Sequence, residues 1–150
     1  MSPDLPSTAA LLSATFPGSR VGDEAYLRWL YEASPFGTVV EANLDDDQGR
    51  AGHYAVVPVA LTQDGAPQVG ALSVNTAVAE RARGGGTFTR LAEEAFVRAR
   101  ARGVQRVVGV ANANSTPGFL RRLGFRLVGP LPASIVVPTP GRARGIDSGW

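Results

Sequence analysis

The stretch RARGGGTFTRLAEEAF, Arg81 to Phe96, decides how this chain is read. From Thr87 onward Phe88, Leu91, Ala92, Ala95, Phe96 and Ala99 recur at helical spacing. That spacing predicts a helix from Thr87 to about Arg102. Glu94 and Arg98 form an i,i+4 pair in the favourable order, and Gly103 is the glycine that commonly follows a helix end. Ahead of the helix stand Gly84, Gly85 and Gly86. Glycine lets a backbone curl without side-chain clash. The first N–H groups of a helix lack intrahelical partners, and that end carries roughly +0.5 charge. A glycine turn in this place suits an anion, phosphate above all. The plainer reading is a turn that only redirects the chain.

Working outward, the segment before the glycines reads as a β-meander. Thr38 to Leu44 is one expected strand, DDDQGR a turn, and GHYAVVPVAL a second strand in which Pro58 implies an edge or a bulge. TQDGAP is another turn, and Val69 to Val78 a third strand. Before the meander, Ser7 to Thr15 and Asp23 to about Ala33 read as helices, the second with Tyr26, Leu27, Leu30 and Tyr31 along one side. After the central helix, Val104 to Ala111 is an apolar strand. Thr116 to Leu123 is a short helix with Pro117 near its start, where proline is tolerated. FRLVG (Phe125–Gly129) is a further strand, and Ser134 to Val137 could be one more. The tail TPGRARGIDSGW reads as disordered. The pattern is α+β, one central sheet covered by helices.

The totals narrow the function classes. The chain has 150 residues, enough for one domain with a core of ordinary size. Its 44% hydrophobic content and mean hydropathy near zero fit a soluble globular protein. No apolar run approaches the ~20 residues of a membrane span, and the N-terminus has no signal-peptide pattern. A cytoplasmic location is therefore expected. There is no cysteine, so disulfides, thiolate metal sites and a cysteine nucleophile are excluded. All 15 basic residues are arginine. The absence of lysine excludes a phosphate-binding P-loop lysine and a Schiff base. The net charge of +2, concentrated between Arg81 and Arg126, reads as a solvated surface or an attraction for an anionic ligand. Aromatics do not interleave with the arginines, which argues against nucleic-acid binding.

Other constellations are weaker. A dinucleotide fingerprint would need a small residue where Thr89 stands, and a βαβ unit before it. Asp45 to Asp47 is not a calcium loop, because the twelfth position is Val56, and no metal is expected. His53, the one histidine, reads as a structural residue on a strand face. Glu41 and Glu80 are the plausible carboxylate bases, each also readable as a solvated side chain. Asn114-Ser115-Thr116 spells a glycosylation acceptor, read as incidental.

Taken together, the loop, the helix behind it and VVGVANANSTPGFLRRLGF downstream resemble the GNAT superfamily of acyl-CoA-dependent N-acyltransferases. Upstream, GHYAVVPVAL is similar to the second arm of that family's hairpin, so the resemblance covers roughly residues 38–129. The family's phosphate loop reads Arg/Gln-x-x-Gly-x-Gly/Ala. Arg81, Gly84 and Gly86 match it literally. Arg83 and Gly86 match it with Phe88 at the last small position, and this register is preferred because it places Leu91 at the family's first inward leucine.

The resemblance implies a GNAT-like mixed, mostly antiparallel sheet flanked by helices, within a single domain over residues 1–138 and a tail over residues 139–150. It implies an acyltransferase that uses acetyl-CoA, or another acyl-CoA, as donor. The acceptor would be an amine of a small molecule or peptide, with the Tyr26–Tyr31 helix lining part of its pocket. Thr76, Ala77 and Val78 would contact the pantetheine arm in a gap between two splayed strands. Arg83, Gly84, Gly85, Gly86, Thr87 and Phe88 would cradle the pyrophosphate, and Asn114 would bond the pantetheine. Many members place a tyrosine acid four residues before the glycine of LGF, and here that position is Leu120. Ser115, Thr116 or a water could replace it. The chain begins almost at its first helix and ends soon after LVGPLP, so the family's first strand and C-terminal part would be missing, and exposed sheet edges would favour a homodimer. Two other classes stay open: a non-catalytic CoA-binding or interaction module on the same fold, and an arginine-rich nucleic-acid-contacting protein.

Overall fold

In a computed structural model, residues 3–111 and 115–129 are described. The order is α1 (Leu5–Thr15), α2 (Glu24–Glu32), β1 (Val40–Asp46), β2 (Gly49–Gln63), β3 (Ala66–Val78), α3 (Thr87–Ala101), β4 (Arg106–Gly109) and α4 (Thr116–Arg122), with 3-10 turns at Arg20–Gly22 and Glu80–Ala82. The strands form one mixed sheet in the order β1-β2-β3-β4. The first two pairings are antiparallel and β3 with β4 is parallel. The expected α+β sheet covered by helices is thus the observed architecture.

Strand alternation divides the core between the two faces of the sheet. Val40, Ala42, Tyr54 and Val56 pack against Leu91, Ala92, Ala95 and Ala99 of α3. Val39, Ala55, Val57 and Ala77 pack against Leu12 of α1 and Leu27 and Tyr31 of α2. The helical stripe read from the sequence is the buried face of α3, and full burial of Leu91 alone contributes about 1.5–3 kcal/mol. The close approach of α3 rests on Gly52, where a Cβ would stand 2.7 Å from Leu91 Cδ1.

Local chemistry sets the element ends. α1 starts two residues earlier than expected because Asp4 is its N-cap, accepting a bond from Ser7 N–H at 3.2 Å. Asp23 caps α2 through bonds from Ala25 and Tyr26 N–H. Asp64 and Gly65, both at positive φ (51° and 77°), make the tight β2–β3 turn. β2 is therefore longer than GHYAVVPVAL, and β3 begins at Ala66. Asp45 and Asp46 belong to β1 rather than to the turn. Pro58 lies past the end of the β1 ladder, which closes at Val40–Val56, so it faces a local edge as its missing N–H requires.

One expected strand is corrected. Phe125–Gly129 carries no regular secondary structure. Phe125 N–H bonds back to Phe119 O at 3.1 Å, and its ring packs edge-on against Phe119 at 5.0 Å. The segment is tied to α4, and among the described residues no strand pairs with it. The expected strand at Ser134–Val137, the tail over residues 139–150, Asn112 and Asn114 lie outside the described residues.

Candidate active site

The site begins where two parallel strands part. β3 and β4 are paired only from Gly70–Arg106 to Ser73–Gly109. β3 continues for five residues, Val74 to Val78, and beyond Ser73 its β4-side edge has no strand partner among the described residues. At the parting, β3 carries a bulge. His53 faces Ala77 and Ala55 faces Val74, so Asn75 and Thr76 together oppose Tyr54. Asn75 adopts φ 50°, left-handed backbone that asparagine tolerates better than most residues. The result is a stretch of β3 edge, here called the slot, that no strand covers among the described residues.

β3 leads through the 3-10 turn into the three glycines. Gly84, Gly85 and Gly86 all have positive φ (88°, 56° and 77°), and Gly86 is the N-cap of α3. Among the described residues no acceptor takes their N–H groups, whereas the Gly84 carbonyl accepts both Thr87 N–H and the Thr87 hydroxyl at 3.2 Å. No atom lies within 4 Å of where a Cβ would stand on any of the three. The turn is thus shaped by Thr87 from below and open above, and its amides, with the N-terminus of the 15-residue α3, can accept an anion. This donor set fits a pyrophosphate.

The residues singled out from the sequence fall around this slot unevenly. Thr76, Ala77 and Val78 form the end of β3, with Thr76 and Val78 half-buried and Ala77 buried against the α1–α2 side. Arg83 is exposed, with its Nε–H bonded to Val78 O at 3.2 Å, so its guanidinium is anchored at the strand end beside the glycines. Arg83 also borders a groove of about 500 Å³ between α1, the β1–β2 hairpin and the 3-10 turn. Thr87 is buried, and Phe88 is half-buried against Tyr54 and Phe119. Ser115 is the N-cap of α4 and is half-buried with Thr116, while Leu120 is 38% exposed on the same helix. Glu80 is exposed at the start of the 3-10 turn. Tyr26 is half-buried and Tyr31 fully buried.

A polar group of residues that sequence reasoning left apart lies behind the bulge. His53 is fully buried, with Nε2 2.8 Å from the Tyr31 hydroxyl and Nδ1 2.6 Å from Asn43 Oδ1. An amide oxygen only accepts, so Nδ1 carries the proton and Tyr31 O–H donates to Nε2. Asn75 Nδ2 donates to the Tyr31 oxygen at 3.2 Å. Burial, with the Arg50 charge nearby, lowers the His53 pKa to about 3, so the imidazole is neutral at ordinary pH. Glu41 Oε2, 3.8 Å from Nδ1, is therefore not in an ion pair with it; it is buried without a hydrogen-bond partner among the described residues, and burial raises the Glu41 pKa. Desolvation likewise pushes the Tyr31 hydroxyl well above its usual range. The only signal available beforehand was an asparagine within the strand run SVNTAV. Nothing local connects Tyr31 to a histidine 22 residues away.

Solved structures supply the comparison. An acetyltransferase of Trypanosoma brucei superposes with a TM-score of 0.63 at 20% identity, over 89% of this chain and 93% of that one. An aminoglycoside 6′-N-acetyltransferase of Acinetobacter haemolyticus gives 0.67 at 15% identity, over 90% and 93%. An aminoglycoside N-acetyltransferase in complex with CoA gives 0.65 at 14% identity, over 88% of each. No protein-family model matches the chain, and no curated protein sequence matches it significantly. At these identities the likeness establishes the fold, which is that of the GNAT acetyltransferases.

Proposed function

We propose that this chain transfers an acyl group, acetyl in the first instance, from acyl-CoA to an amine of a small-molecule or peptide acceptor, acting in the cytoplasm. The observation that carries this reading is the parting of β3 from β4 beside three glycine amides that no acceptor takes among the described residues. The fold shared with N-acetyltransferases, one of them bound to CoA, supports it.

Acetyl-CoA is a co-substrate that supplies an acyl group activated as a thioester. The amides of Gly84 to Gly86 and the start of α3, Thr87 and Phe88, would hold its pyrophosphate, with Arg83 alongside. The free edge of β3 at Thr76, Ala77 and Val78 would pair with an extended pantetheine arm as an added strand does. A backbone N–H of that edge would stabilise the negative charge that develops on the thioester oxygen. Asn114 would bond the arm, as the resemblance implies. The acceptor must arrive as a neutral amine. As the C–N bond forms and the C–S bond breaks, one proton leaves the nitrogen and one goes to the thiolate. Ser115 or Thr116, at the start of α4, or a water, would supply the latter.

Release of free CoA thiol across a panel of primary amines tests the reaction. Thiol release above the enzyme-free rate with at least one amine is expected. Binding of acetyl-CoA with no release for any amine would leave the second reading, a non-catalytic CoA-binding module. The observation that favours this second reading is Leu120, which puts an apolar side chain where the resemblance calls for a tyrosine hydroxyl.

A further inference from the structure

We propose that Tyr31 and His53 are positioning residues of the acyl-transfer site: their hydrogen-bond chain holds the Asn75 side chain, and through it the bulge from which the Thr76–Val78 edge of the slot departs. The inference rests on the acyltransferase reading and adds to it the device that fixes the slot's shape.

The chain of bonds has one direction. Asn75 donates to Tyr31, Tyr31 to His53, and His53 to Asn43, at 3.2, 2.8 and 2.6 Å. Bonds aligned head to tail in a low-dielectric interior strengthen one another. The chain crosses from β1 through β2 to α2 and returns to β3, so the bulge is referenced to three separate elements. Such a group contributes little as a stability device, because buried polar groups gain only modestly over apolar ones and cost heavily when one partner is lost. Nor is it a proton path to the slot. Its last member is a carboxamide, which has no proton to give at ordinary pH, and Tyr31 behind it is fully buried.

What the chain can do is hold a strained residue in place. A non-glycine residue at φ 50° persists where its surroundings over-determine it. The two-against-one bulge lies two residues beyond the last β3–β4 pair, at Ser73–Gly109. Asn75 is therefore the hinge between the paired and the splayed parts of β3. A backbone donor that must meet a developing charge tolerates little displacement, and a misplacement of about 1 Å can cost on the order of 100-fold in rate.

Tyr31→Phe removes one hydroxyl and keeps the ring. Its expected effects are a selective change in backbone amide shifts and faster hydrogen exchange at residues 75–78, and a fall in kcat of about 10- to 100-fold with the Kd for acetyl-CoA within about threefold. Asn75→Gly, which keeps the left-handed backbone and removes the tether, should lower kcat similarly. His53→Gln, whose carbonyl can accept the tyrosine proton, should recover activity relative to His53→Ala. If Tyr31→Phe shifts the exchange of all core amides equally and leaves kcat unchanged, or if Asn75→Gly is fully active, the positioning role is wrong. If the wild-type protein fails to bind acetyl-CoA, the function is wrong, and the exchange pattern of Tyr31→Phe still decides whether the bulge is tethered.

Discussion

His53 is kept as a neutral imidazole by burial, and that has a sign in the stability. Its folded pKa, about 3, lies below the ordinary value of 6.5. Between these values the unfolded chain takes up a proton that the folded chain refuses. The contribution is therefore fully present above pH 6.5 and is lost as the pH falls toward 3. Glu41 has the opposite sign. Its carboxyl, raised by burial, is strained as a charge at neutral pH and is relieved as it takes up a proton on acidification. Urea midpoints measured from pH 7 down to pH 4 should fall less steeply for His53→Gln than for the wild type, and more steeply for Glu41→Gln. Parallel curves for all three would mean that neither group titrates differently in the two states. None of this was visible in the residues taken singly. A histidine inside a strand reads as structural; this one is buried, and the partners that hold it lie on α2 and β1.

At the scale of elements, the caps and close contacts carry measurable weight. Asp23→Ala removes the acceptor of two N–H bonds at the start of α2 and should cost about 1 kcal/mol in a urea titration. Because α2 carries Tyr31, activity should fall along with stability. Gly52→Ala places a methyl against Leu91 and Leu44 and should cost about 1–3 kcal/mol by lifting α3 from the sheet; a variant as stable as wild type would mean that α3 is less closely seated. These elements were the readable part of the sequence. α3 announces itself because an apolar stripe, a favourable charge pair and a terminal glycine agree over 15 residues. The Glu94–Arg98 pair forms as expected. Phe125–Gly129 was misread because a short apolar run looks the same whether it pairs as a strand or packs on a neighbouring helix. Here Phe119 and Phe96 decide it. The start of β3 was missed by three residues, since the turn needed only Asp64 and Gly65.

At the scale of the whole molecule, helices cover both faces of the sheet, and the end of β3 is one of the edges left without a strand partner among the described residues. The resemblance set the expected slot at Thr76 to Val78, and in the structure that stretch of β3 has no strand partner on its β4 side among the described residues. Spacing could not supply the bulge, which depends on register between β2 and β3, nor the tether behind it. The glycine turn is where the reading is most exposed to test. Gly86→Glu puts a charged side chain at a left-handed N-cap facing the proposed pyrophosphate. It should weaken acetyl-CoA binding at least about tenfold and cost some thermal stability, because φ 77° strains any side chain there; unchanged affinity in the folded variant would remove the anion role of the turn. The most direct measurement is isothermal titration of the wild-type chain with acetyl-CoA. Saturable binding below millimolar concentration, weakened by Gly86→Glu, is expected; no heat of binding at millimolar acetyl-CoA would contradict the cofactor role of the slot and with it the proposed acyl transfer.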